Sequence, residues 1–141
     1  MLIDANLLIY AANEDAREHE PANTWLTAQL SGARRVGLPW QSLADFLRIA
    51  THRHLFDRPL TPEGAWSFVE DCLASPAAWI PDPGPDHARI VGTLIVAGRI
   101  SGNLVADTFL AALAIEHGLT LYSADTDFAR FKDLRWENPL A

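Results

Sequence analysis

One alternation runs through the chain: a short apolar run that ends near a polar or acidic residue, then a longer stretch with apolar spacing near 3.6 residues. The runs are Leu2-Ile3 leading into Asp4, Val36 to Leu38, Trp79-Ile80, and Leu119 to Tyr122, each bounded by glycine, proline or a polar residue. Parallel strands cannot be joined by tight hairpins and need crossovers of about a dozen residues, usually helical. Short strands separated by helices therefore predict a three-layer α/β/α fold around a short, mainly parallel sheet. With 141 residues, 49% of them hydrophobic, the chain carries apolar material for one core, so residues 1–141 read as one domain.

The helix ends are legible. Asn6 caps a helix running to about Ala12, and Pro21 opens a second that carries Trp25, Leu26 and Leu30 before Gly32. Ser42 and Asp45 form an S-x-x-D capping pattern ahead of Phe46, Leu47 and Ile49. Thr61-Pro62 opens the next helix, Asp86 starts one that stops near Gly98, and Asn103 starts one that ends at Gly118.

In a parallel α/β sheet, ligands bind beyond the carboxyl ends of the strands. Asp4 ends the first strand and Asp125 follows the strand Leu119 to Tyr122, so parallel pairing brings them together. Asp107 projects from the first turn of an apolar helix, where a charge needs a partner, and Asp45 lies at a helix start soon after Val36 to Leu38. Oxygen-only ligands suit Mg²⁺ or Mn²⁺ rather than zinc, and clustered acids need cations to stay ionised together. Such ions can activate water and stabilise the leaving oxygen of a phosphodiester. Local roles stand beside this reading: Asp4 as a helix cap, Asp107 at a helix dipole, Asp125 and Asp127 as turn residues, Asp45 in its capping box.

Other chemistries find little support. A net charge of −7 argues against nucleic-acid binding through a broad basic surface, an objection that weakens once acids hold divalent cations. Arg48, His52, Arg53, His54 and Arg58 form the one basic cluster, and Arg48 and His52 share a helical face that could meet RNA or a protein partner as readily as solvent. The isolated glycines form no phosphate loop, the only lysine, Lys132, lies late in the chain, and no serine or cysteine nucleophile motif accompanies the histidines. Cys72, Trp25, Trp66 and Trp79 fall in apolar patterns and are assigned to the core, while Trp40 and Trp136 stay open for base stacking. The start of the chain lacks a leader pattern, and the longest mostly apolar run, Leu104 to Ile115, contains Asp107 and is too short to span a bilayer; a cytoplasmic protein without a membrane segment is expected.

Leu2-Ile-Asp4-Ala-Asn6, Asn103-Leu-Val-Ala-Asp107 and Leu121-Tyr-Ser-Ala-Asp125-Thr-Asp127-Phe resemble the motifs of PIN-domain nucleases, in matching order across almost the whole chain. Pro39 to Ala50 and the closing Leu134-Arg-Trp-Glu-Asn-Pro are similar, more narrowly, to the VapC toxins of bacterial toxin–antitoxin pairs. That resemblance implies a Mg²⁺- or Mn²⁺-dependent endoribonuclease, usually dimeric, held inactive by a small antitoxin in its active-site groove. It implies metal-binding roles for Asp4, Asp107 and Asp125 and supporting roles for Asn6, Ser123 and Asp127. Asp45 matches a position where the family usually has glutamate, one methylene longer, which leaves open a weak or inactive module that binds RNA or a protein partner without cutting.

Overall fold

A computed structural model describes residues 1–141. Its elements are β1 (Leu2–Ile3), α1 (Ala5–Ala12), α2 (His19–Leu30), β2 (Val36–Gly37), α3 (Trp40–Ala50), α4 (Pro62–Ala74), β3 (Ala78–Trp79), α5 (His87–Gly98), α6 (Leu104–His117), β4 (Leu121–Tyr122), the 3₁₀ turn η1 (Thr126–Arg130) and β5 (Trp136–Glu137). The five strands form one all-parallel sheet in the order β3-β2-β1-β4-β5. This is the expected α/β architecture, with a fifth strand the sequence reading did not include. Only two residues long and half exposed, β5 carries no apolar run, so nothing in its pattern separates it from a loop.

Pleating divides the core into two layers, because successive side chains of a strand point to opposite faces. Ile3 and Tyr122 join Leu7, Leu8, Leu43 and Phe46 in the cluster covered by α1 to α4. Their neighbours Leu2 and Leu121 join Leu110, Ala111, Leu113 and Phe128 in a smaller cluster under α6 and η1. Strand β2 approaches β1 closely at Gly37, where an added Cβ would stand 2.9 Å from the Met1 carbonyl oxygen and 3.1 Å from both Leu2 Cδ1 and Pro81 Cγ. A residue without a side chain is required there.

Several helix ends differ from the sequence reading. Asp4, not Asn6, caps α1, its side chain accepting the Ala5 N–H. α2 begins at His19, two residues before Pro21, which is tolerated because a first-turn N–H lacks an intrahelical acceptor in any case. α3 begins at Trp40, so Ser42 lies inside the helix with a buried, unpartnered Oγ and forms no capping box with Asp45. α5 closes on Arg99 in the left-handed conformation rather than on Gly98, whereas α6 ends at Gly118, φ +66°, as the glycine signal predicts. Trp66 was assigned to the core but is 43% exposed, because α4 turns Ala65, Val69 and Cys72 inward instead. Cys72 is buried as expected, and burial pushes its thiol up to about 11.

Candidate active site

The strand order reverses at β1: the chain moves from β1 outward to β2 and β3, then returns to place β4 on the other side of β1. Loops leaving neighbouring strands at such a point diverge, which opens a crevice at the carboxyl edge. Leu2 pairs with Leu121 and Ile3 with Tyr122, and the Asp4 N–H extends the ladder to the Tyr122 carbonyl at 3.0 Å. Asp4 therefore stands beside Ser123 at the mouth of that crevice.

A polar network fixes both residues. Asp4 Oδ1 accepts the Ala5 N–H at 2.7 Å, and Oδ2 accepts from Ser123 Oγ at 2.6 Å and from Asn6 Nδ2 at 3.3 Å. The fully buried Ser123 hydroxyl in turn accepts from Asn6 Nδ2 and from the Asp125 N–H, both at 3.0 Å, while Asn6 Oδ1 accepts the Ala124 N–H at 3.2 Å. Trp136 Nε1 donates to the Ser123 carbonyl at 3.0 Å, so β5 braces this loop from outside. Asp4, Asn6 and Ser123 thus form one unit that aims the chain into Asp125.

Asp125 caps η1, its Oδ1 accepting the Asp127 N–H at 2.9 Å. Turns of this kind bring residues i and i+2 onto one side. Carboxylate oxygens of Asp107, Asp125 and Asp127 come within 4.8 Å of one another, with Asp107 projecting from the first turn of α6. Asp4 lies outside that trio, although the carboxylates influence one another. Burial raises the Asp107 carboxyl to about 6, with further upward pushes from Asp125, Asp4 and Asp127 and a downward one from Arg130. Burial likewise raises Asp4, opposed by its bonds to Ser123 and Ala5 and aided by Asp125 and Asp45. Asp4 and Asp107 thus hold their protons more tightly beside neighbouring carboxylates, a cost that a bound cation removes. Three convergent carboxylates with no sulfur or imidazole donor fit a hard divalent cation.

Asp45 is peripheral. Its side chain is 44% exposed and pairs with Arg48 at 3.7 Å, so it meets the other acids only through its field on Asp4. Arg48 is occupied by that pair, and His52 lies past the end of α3, its Nδ1 accepting the His54 N–H at 3.1 Å. The family resemblance implies Asp4, Asp107 and Asp125 as metal acids with Asp127 in support, whereas the geometry groups Asp127 with Asp107 and Asp125. The Asp-x-Asp spacing was the available signal. Arg130, which shares η1 with Asp127, had none.

An all-parallel sheet with an acidic trio at its switch point places the molecule in a definite class of α/β proteins. Residues 1–134 match the PIN domain, and the chain belongs to that family, within it to the VapC type. It is 44% identical over 140 residues to ribonuclease VapC37 of Mycobacterium tuberculosis, covering 99% of this chain and 97% of that one. It is 40% identical over 140 residues to ribonuclease VapC43 of the same organism, covering 99% and 95%. Its fold matches a chain in the crystal structure of VapBC2 from Rickettsia felis bound to a promoter DNA fragment, with TM-score 0.70, 21% identity, and 97% and 96% of the two chains covered.

Proposed function

We propose that this chain is an endoribonuclease dependent on Mg²⁺ or Mn²⁺ and the toxin of a toxin–antitoxin pair, acting as a single catalytic unit over residues 1–141. The convergence of Asp107, Asp125 and Asp127 beside Asp4 carries the proposal. Full-length similarity to named VapC ribonucleases supports RNA as the substrate, and similarity to a VapBC assembly supports a cognate antitoxin as partner. A homodimer working in the cytoplasm belongs to the same reading; no helix is long and apolar enough to cross a membrane.

Asp107, Asp125 and Asp127 would hold the metal. When bound, the ion supplies a lowered water pKa and positive charge against the phosphate. Asp4 holds Ser123 and Asn6 in place and adds negative charge, so the trio faces the crevice in one arrangement. Asp45, tied to Arg48, acts through solvent rather than by direct ligation.

Wild type should cleave RNA with Mn²⁺ and stop with EDTA, whereas Asp4→Asn and Asp107→Asn should lose about 10²-fold or more in rate. Retained cleavage in both variants would remove the acidic centre from the chemistry. The pairing of Asp45 with Arg48 favours a second reading, a weak nuclease that mainly binds. Under that reading Asp45→Glu increases the cleavage rate, and an unchanged or lower rate rejects it.

A further inference from the structure

An acidic site on a chain of net charge −7 must still grip a polyanion. Most of the arginines are engaged elsewhere: Arg17, Arg48, Arg58 and Arg89 stand in ion pairs, Arg35 lies over the Trp79 ring at 4.1 Å, and Arg135 donates to the Gly118 carbonyl. Arg130 differs. It closes η1 three residues after Asp127, and its Nε donates to the Asp127 carbonyl at 3.2 Å, so the turn that presents two of the trio's carboxylates also anchors this guanidinium. The exposed Arg130 enters no ion pair with those acids, yet its charge reaches Asp107. That charge opposes the upward push of Asp125, Asp4 and Asp127 on the Asp107 carboxyl.

A guanidinium held by Nε keeps its two Nη groups free as a planar fork that matches two phosphate oxygens. Anchoring also reduces the side-chain freedom lost when the fork engages. We propose that Arg130 binds a backbone phosphate of the RNA strand next to the bond to be cut and holds the strand against Asp107, Asp125 and Asp127. This rests on the nuclease reading above. The i, i+3 relation within η1 fixes the spacing between the phosphate grip and the acids, so one short turn sets the register of the strand.

Binding and cleavage are measured separately on the full chain. Anisotropy of a labelled single-stranded oligoribonucleotide in Ca²⁺, over a salt series, reads the grip directly. Arg130→Ala should weaken binding about tenfold and flatten the log–log salt slope by about 0.7, the share of one phosphate on a single strand. Arg130→Lys should retain the slope while losing part of the affinity. In Mn²⁺, Arg130→Ala should raise KM more than it lowers kcat, with Mn²⁺ binding, followed by water-proton relaxation, unchanged. Wild-type affinity and slope in Arg130→Ala overturn the proposal, as does a wild type that fails to bind the strand. Loss of Mn²⁺ binding in Arg130→Ala also overturns it, because Arg130 would then be holding η1 together. A wild type that binds but never cuts sinks the nuclease reading, while the salt series still judges Arg130.

Discussion

Asp107 shows how a single residue carries the conflict in the site. The folded protein holds its proton to about 6, whereas the ordinary aspartate value is 3.8, so between those values the folded chain binds more protons than the unfolded one. Stability of the metal-free protein therefore falls as pH rises through that window, since the slope follows the excess protons of the unfolded state and here that excess is negative. Asp4 shifts in the same direction. Asp107→Asn should remove part of the slope, about 1 kcal/mol between pH 4 and 7 once solvent screening is allowed for. Urea unfolding of both proteins at the two pH values measures it, and equal slopes would show that Asp107 titrates normally.

Elements place these residues by close packing as much as by hydrogen bonding. At Gly37 the neighbouring backbone and the side chains of Leu2 and Pro81 occupy the space of a Cβ, and the nearest obstacle is a carbonyl oxygen that cannot rotate away. Gly37→Ala should push β2 from β1 and cost about 1–3 kcal/mol, read as a fall in Tm, with a parallel loss of activity because β1 ends on Asp4. A Tm within a degree of wild type would mean that the sheet yields there. Strand β5 matters for a similar reason: its Trp136 is the outer support of the Ser123 loop, so Trp136 serves the site from behind rather than as a stacking surface.

At the scale of the whole molecule, two core clusters hold the crevice open, and the acids at its mouth repel one another without a counter-ion. A divalent cation that binds only the folded chain should stabilise it by about 2.7 kcal/mol at one hundred times its dissociation constant. Calorimetry with Mn²⁺ should show a saturable rise in Tm that is absent in Asp125→Asn; equal rises in both proteins would place the ion elsewhere. The parallel architecture and the neighbourhood of Asp4 and Asp125 were readable because apolar periodicity and strand ends are local properties of the sequence. The helix starting at Asn103 and ending at Gly118 was readable for the same reason. Ser42 misled because S-x-x-D is only a local pattern: the helix already begins at Trp40 after Pro39, and the side chains it buries are Ser42, Leu43, Phe46 and Ala50. Trp66 misled because apolar spacing alone does not say which face of α4 meets the core. The sequence by itself determined the acids, the elements that carry them and the edge of the sheet on which they lie. Tertiary structure alone decided that Asp127 joins Asp107 and Asp125, that Asp4 turns to Ser123 and Asn6, that Asp45 pairs with Arg48, and that Arg130 stands beside the trio. Those choices depend on the direction of side chains across a turn and a strand pair, and contacts between residues more than a hundred positions apart leave no periodicity in the chain.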